Sequence, residues 1–200
     1  MYNQNQLENL LKKTDLYTND TFEKLILYIE NLKKWNASIN LTSKKLDIIK
    51  HIQDSLLFFE IIQNPIGELL DIGSGNGFPS IIIGILCAGL RITMVETNAK
   101  KCAFLRDTCM KLSIKARILN IDILSMKTQD TFSIATLRGL KIDSKIESKI
   151  YKLLSKEYGK LLIWTNPPPS LKKFNFTNSI SKDNKYLHMY TKAQVAQQPI

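Results

Sequence analysis

The residues best placed to do chemistry begin at Asp71, where Asp71-Ile72-Gly73-Ser74-Gly75-Asn76-Gly77-Phe78-Pro79 sets a carboxylate ahead of three glycines at alternate positions. Glycine takes positive φ without strain and lets a ligand touch bare backbone, with no Cβ in the way. Leu69, Leu70 and Ile72 suit a buried strand, and Pro79 suits the first position of a helix. Residues 67–80 therefore read as strand, ligand loop and helix start. A dinucleotide-binding loop would need its third glycine where Phe78 stands, so that fingerprint fails.

Asp71 would set a negative charge beside a pyrophosphate, whereas S-adenosylmethionine carries a sulfonium and an ammonium that a carboxylate attracts. The order Asp-x-Gly-x-Gly-x-Gly is similar to the cofactor loop of Rossmann-type methyltransferases; a glycine-rich turn with no cofactor role is the alternative. Glu96 closes the next strand, where an acid accepts hydrogen bonds from ribose hydroxyls, or else neighbours a helix N-cap. Asp122 and Ile123 follow a third strand, where a methyltransferase grips the adenine. Arg138 ends a fourth, at the edge where open α/β sheets bind ligands, with a plain surface arginine as the other reading. His51 and Asp54 sit three apart and share one face if helical, which by spacing alone fits a solvated pair as well as a functional one.

Behind these residues the elements alternate. Apolar periodicity predicts helices over 5–16, from an N-cap at 19–21 to about Trp35, and over 46–62, with a boundary at Asn64-Pro65. Beyond it the pattern predicts helices over 80–88, 99–112 (capped by Asn98) and 143–158, and strands over 67–72, 91–96, 116–121, 132–137 and 160–165. Segments 172–176 and 185–192 suit a closing antiparallel pair, with the last eight residues loose. The expected architecture is an α/β, mostly parallel Rossmann-like sheet with an antiparallel carboxyl-terminal strand. A helical module over 1–64 precedes a methyltransferase core over 65–200.

A chain of 200 residues can bury such a core unaided. Cys87, Cys102 and Cys109 lack any CxxC spacing and lie in apolar patterns, so neither a disulfide framework nor a metal site is expected. The longest apolar run, over 81–90, is broken by glycine and too short for a bilayer, which points to a cytosolic protein with no membrane partner. The net charge of +10 favours a nucleic-acid partner, but the excess is lysine in a chain rich in Ile and Asn, which a compositional bias also produces.

The stretches Lys34-Trp35-Asn36 with Asn40-Leu41-Thr42, His51 with Asp54-Ser55-Leu56, 71–79, Lys100-Lys101 with Phe104-Leu105, and Leu137-Arg138-Gly139 together resemble the RsmG (GidB) family, bacterial methyltransferases of 16S ribosomal RNA. The resemblance spans nearly the whole chain and gives the His51–Asp54 pair and Asn36 a functional reading. It implies methylation of a guanine at ring nitrogen seven, S-adenosylmethionine as cofactor, and a monomer acting on 16S RNA or the small-subunit precursor. Cofactor contacts would fall on Gly73, Phe78, Asp122 with Ile123, and Arg138; Asp71, Gly75, Gly77 and Glu96 join them from the loop reading. Arg138, His51, Asp54 and Asn36 would position substrate. Ser80, Asn120-Ile121-Asp122 and Thr165-Asn166 depart from the family pattern.

Guanine nitrogen seven has an in-plane lone pair and no proton to lose, so the implied transfer needs no base. Two rivals stand beside it. Asn166-Pro167-Pro168-Pro169 resembles the box by which amine and glutamine methyltransferases hold nitrogen, though it follows the fifth strand and lacks a terminal aromatic. A binder with decayed activity is the other.

Overall fold

The computed structural model describes residues 3–42 and 47–193. Its centre is a seven-stranded sheet in the order β3-β2-β1-β4-β5-β7-β6. The strands are β1 (Gly67–Ile72), β2 (Leu90–Val95), β3 (Ala116–Leu119), β4 (Ile134–Arg138), β5 (Lys160–Trp164), β6 (Phe174–Lys182) and β7 (Lys185–Lys192). The first five run parallel; β7 is antiparallel to both β5 and β6. The strand order reverses direction between β1 and β4, and at that switch point the carboxyl ends of the strands open a crevice.

Side chains alternate across the sheet, and each face builds its own core. Leu69 and Leu162 point to one side with Ile81, Phe104 and Leu105, under α4 (Ser80–Leu86) and α5 (Ala99–Lys111). Leu70, Ile72, Leu161 and Ile163 point to the other, under α6 (Ser144–Leu153) and a 3-10 turn (Ile123–Ser125). Three preceding helices, α1 (Gln4–Lys12), α2 (Asn19–Ile39) and α3 (Ile48–Ile61), lie on the first face. Leu7, Leu11, Leu25 and Ile52 belong to the same apolar cluster as Ile81 and Phe104, so the amino-terminal helices and the sheet share one core. A polar seam reinforces that contact: Trp35 Nε1 donates to Asp107 Oδ2 at 2.7 Å, and Asn31 Nδ2 to Thr108 Oγ1 at 2.9 Å. Among the described residues no helix is long and apolar enough to cross a membrane.

Several boundaries differ from those read in the sequence. Helix α1 stops at Lys12, short of residue 16. Thr18 caps α2, its hydroxyl accepting from Thr21 N while the Thr21 hydroxyl accepts from Thr18 N, and the helix runs past Trp35 to Ile39. The predicted start of α3 at Leu46 and all of 194–200 lie outside the described residues. Helix α4 ends at Leu86, two residues early. Helix α6 ends at Leu153 rather than 158, because Leu154 bridges to Phe132 and Ser155 N donates to Phe132 O. Strand β6 reaches Lys182, six residues beyond the expected end, because Asp183 and Asn184 (φ 50° and 60°) make a tight hairpin turn into β7.

Candidate active site

The carboxyl ends of β1, β2, β3 and β4 deliver Gly73, Glu96, Asp122 and Arg138 to one edge of the sheet. At β1 the chain turns through Gly73, Gly75 and Gly77 at φ +75°, +55° and +90° before α4 begins at Ser80. The glycines are not equivalent. A Cβ on Gly77 would fall 2.4 Å from Ile81 Cγ1, whereas on Gly75 its nearest neighbour would be Gly73 O at 3.7 Å. Gly77 therefore serves close packing, and Gly75 keeps an open backbone face.

Two carboxylates flank the loop. Glu96 Oε2 accepts from Gly75 N at 2.8 Å and Oε1 from Asn98 N at 2.8 Å, so the acid that ends β2 holds the loop by its backbone. Asp71 is buried; its Oδ1 accepts from Thr136 Oγ1 at 2.7 Å, and its Oδ2 has no protein partner. Burial raises the Asp71 pKa, the Ser80, Thr136 and Ser74 hydroxyls pull it back, and nearby Glu96 adds to the rise. Ser80 Oγ lies near this carboxylate without reaching hydrogen-bonding geometry.

The amino-terminal helices complete the edge. Phe78 stacks on His51 of α3 with centroids 5.3 Å apart and an interplanar angle of 30°, and the Arg138 guanidinium carbon sits 5.9 Å from the Phe78 centroid. Arg138 Nη2 donates to Asp54 Oδ2 at 2.7 Å and to His51 Nδ1, while Nη1 reaches His51 O at 3.5 Å. The carboxylate of Asp54 thus pairs with the guanidinium and not with the imidazole, which replaces the expected His–Asp arrangement by a three-membered one. Trp164 Nε1 donates to Asp54 O at 2.9 Å and pins this part of α3 to the end of β5. Lys185 Nζ lies 3.8 Å from Asp54 Oδ2.

This environment fixes the charges. Burial, then Arg138 and Lys185, lower the His51 pKa to about 4, against a small opposing pull from Asp47, so the imidazole is neutral at pH 7. With Nδ1 accepting from Arg138, the ring proton sits on Nε2. Burial raises the Asp54 pKa, and Arg138 and Lys185 bring it down.

Three of the residues singled out in the sequence stand apart from this cluster. Asp122 Oδ1 accepts from Leu124 N at 2.7 Å within its own turn, and Ile123, 5% exposed, packs into the second core, which leaves little of it for a ligand ring. Asn36 Oδ1 accepts from Thr42 N at 2.8 Å and closes the end of α2. One residue escaped notice: Tyr28 is fully buried on α2, edge-on to Phe78 at 5.4 Å, and its hydroxyl donates to Asn76 O at 2.7 Å. In sequence it falls in register with Leu25, Ile29 and Leu32 and signals only core. Asn166-Pro167-Pro168-Pro169 follows β5 rather than β4, although the two parallel strands end side by side, with Arg138 opposite Trp164. Among the described residues no group of three His, Cys, Asp or Glu could hold a metal.

Residues 21–194 match the family model GidB, rRNA small subunit methyltransferase G. Relatives include ribosomal RNA small subunit methyltransferase G of Jannaschia sp. (strain CCS1), 32% identical over 136 residues, with 64% of each chain covered. The enzyme of the same name from Ruegeria sp. (strain TM1040) is 42% identical over 106 residues, covering 50% of this chain and 51% of that one. The matched stretch thus spans roughly half to two-thirds of these relatives' length. Among solved structures, a mutant of MtNAS in complex with S-adenosylmethionine superposes with a TM-score of 0.62 at 13% identity, over 83% of this chain and 72% of that one. The N-methyltransferase NodS from Bradyrhizobium japonicum does so with a TM-score of 0.53 at 13% identity, over 72% of this chain and 95% of that one. These likenesses show the fold alone, a Rossmann-like α/β sheet.

Proposed function

The chain belongs to the rRNA small subunit methyltransferase G (GidB) family, and we propose that it transfers a methyl group from S-adenosylmethionine to ring nitrogen seven of a guanine in 16S ribosomal RNA. The proposal includes action as a monomer in the cytosol, on the RNA or on the small-subunit precursor. The observation that carries it is the joining of the glycine loop to a cationic, aromatic cluster: Phe78 stacks on His51 beside the Arg138–Asp54 pair.

The residues present fit the cofactor. Gly73 and Gly75 offer bare backbone, Asp71 keeps a buried oxygen without a protein partner, and Glu96 brings a second carboxylate to the same loop. These acids suit a cationic ligand with ribose hydroxyls and oppose a phosphorylated one. Exposed Asp122, with Ile123 buried beside it, is the adenine contact that this reading retains. When bound, S-adenosylmethionine supplies an electrophilic methyl on a sulfonium.

What remains for the chain is positioning, which can supply several kcal/mol of a methyl-transfer barrier. Guanine nitrogen seven attacks with its own lone pair, so no side chain removes a proton. Arg138 stays cationic and is held by Asp54 and His51; its targets are the guanine carbonyl oxygen, a phosphate or the cofactor carboxylate, since a bond to nitrogen seven would occupy the attacking pair. His51 presents Nε2–H as a donor in the same cluster, and Asn36 belongs to the RNA-facing set at the end of α2.

The test is mass mapping of 16S RNA after incubating the protein and S-adenosylmethionine with small subunits from cells that lack it. One new methylguanosine carrying its methyl on ring nitrogen seven is expected. Methyl on an exocyclic amine or on a protein glutamine, or no transfer with no calorimetric cofactor binding, overturns the proposal.

A further inference from the structure

The geometry points to the β6–β7 hairpin as a stacking surface for unpaired RNA flanking the target nucleotide, an inference that rests on the RNA-methylating function proposed above. The hairpin tip is seated beside the candidate site: Gln53 Nε2 of α3 donates to Asp183 Oδ2 at 2.6 Å, and Lys185 Nζ lies 3.8 Å from Asp54 Oδ2. Strand β7 then alternates Tyr186, His188 and Tyr190 on one face against Leu187 on the other, where Leu187 enters the core shared with α3.

The first face is aromatic and fixed from below. His188, 3% exposed, is held between Ser179 Oγ at 2.9 Å and Thr165 O at 3.0 Å. On one side Tyr186 stacks on it, with centroids 6.2 Å apart at 18°; on the other stands Phe176, 6.1 Å away and edge-on to Tyr190 at 5.7 Å. The Tyr190 hydroxyl donates to Pro169 O at 2.9 Å, which ties the Asn-Pro-Pro-Pro loop to the same strand.

Phe176 is 54% exposed on an edge strand, where a large bare ring invites aggregation and brings no burial in return. Its surroundings indicate what covers it. Residues 172–192 hold Lys172, Lys173, Lys182, Lys185 and Lys192 against one acid of their own, Asp183, while α3 brings Glu60 to 3.7 Å from Lys182 and Asp54 to 3.8 Å from Lys185, which leaves the segment with a net positive charge. Rings on a rigid sheet with lysines around them match the needs of a single strand, whose bases stack on any π face while its phosphates seek cations. A protein partner would gain little from so many lysines at the rim.

The test is a fluorescence-anisotropy titration of the full chain with a fluorescein-labelled unpaired RNA of about 12 nucleotides. Phe176→Ala and Tyr186→Ala each raise Kd by about fivefold or more, Phe176→Leu behaves like Phe176→Ala, and Phe176→Trp retains affinity. Calorimetric affinity for S-adenosylmethionine is unchanged in all four. Ultraviolet cross-linking of the wild-type chain, which needs no variant to fold, yields adducts on peptides containing Phe176 or Tyr186. Alanine variants within about twofold of wild type, a leucine variant that binds like wild type, or cross-links confined to other segments overturn the inference. If any of these occurs while the wild type still methylates 16S RNA, only the hairpin surface fails. A wild type that neither binds RNA nor transfers methyl overturns both.

Discussion

Arg138 Nη2 lies 2.7 Å from Asp54 Oδ2, an ion pair that ties the end of β4 to α3 across 84 residues of sequence. The two side chains are 16% and 4% exposed, so the guanidinium depends on this partner for compensation of its lost hydration. Removing one member of a buried pair costs about 3–5 kcal/mol, because the other charge is left stranded. Asp54→Ala should destabilise the fold by that order in urea denaturation. A loss within about 0.5 kcal/mol, the range of ordinary surface substitutions, would mean that Arg138 finds its compensation elsewhere.

The glycine loop separates a packing position from a ligand position. Gly77→Ala forces a Cβ to within 2.4 Å of Ile81 Cγ1, whereas Gly75→Ala meets nothing closer than 3.7 Å and bears only the left-handed strain of about 1–2 kcal/mol. Thermal unfolding should therefore show the larger drop for Gly77→Ala. Calorimetry should show Gly75→Ala folded but weakened in S-adenosylmethionine binding by about tenfold or more, a loss of at least 1.4 kcal/mol. Undiminished affinity in Gly75→Ala would take that backbone face out of the site.

Asp71 sets function against stability. Burial raises its carboxyl pKa above the unfolded value, so the ionised form opposes folding, and the opposition fades as pH falls through the native pKa. Asp71→Asn removes the charge and keeps an oxygen for Thr136 Oγ1. At pH 7 its Tm should equal or exceed that of the wild type, while cofactor affinity falls by about 1–3 kcal/mol. A lowered Tm would show that the carboxylate stabilises the fold.

How much of this could be read in the sequence follows from the range of each interaction. The strand, glycine loop and helix start were legible because their signals lie within 67–80, and so was the Asn98 cap, whose Oδ1 accepts from Lys100 N and Lys101 N. The shared face of His51 and Asp54 was legible too. The guanidinium that bridges them was not, since it arrives from 84 residues away. Tyr28 was hidden because helical periodicity gives a buried tyrosine and a buried leucine the same address, and only the fold shows its hydroxyl at Asn76 O. The length of β6 was missed because Asp183-Asn184 makes its hairpin turn without the glycine that usually marks one.

The central claim is methyl transfer by positioning, and the pH dependence of the single-turnover rate at saturating RNA and cofactor tests it most directly. His51 is the side chain in the cluster that a base mechanism would recruit, yet its pKa is lowered to about 4 and its Nδ1 accepts from Arg138. It is therefore already neutral above the unperturbed histidine pKa of about 6.5. A His51 base would make the rate fall as pH drops through about 4; positioning predicts a rate flat across that value, with His51→Gln raising the RNA concentration required and changing the saturated rate little. A fall in the wild-type rate with a midpoint near 4 that vanishes in His51→Gln would show a proton leaving through this imidazole and would contradict the positioning mechanism.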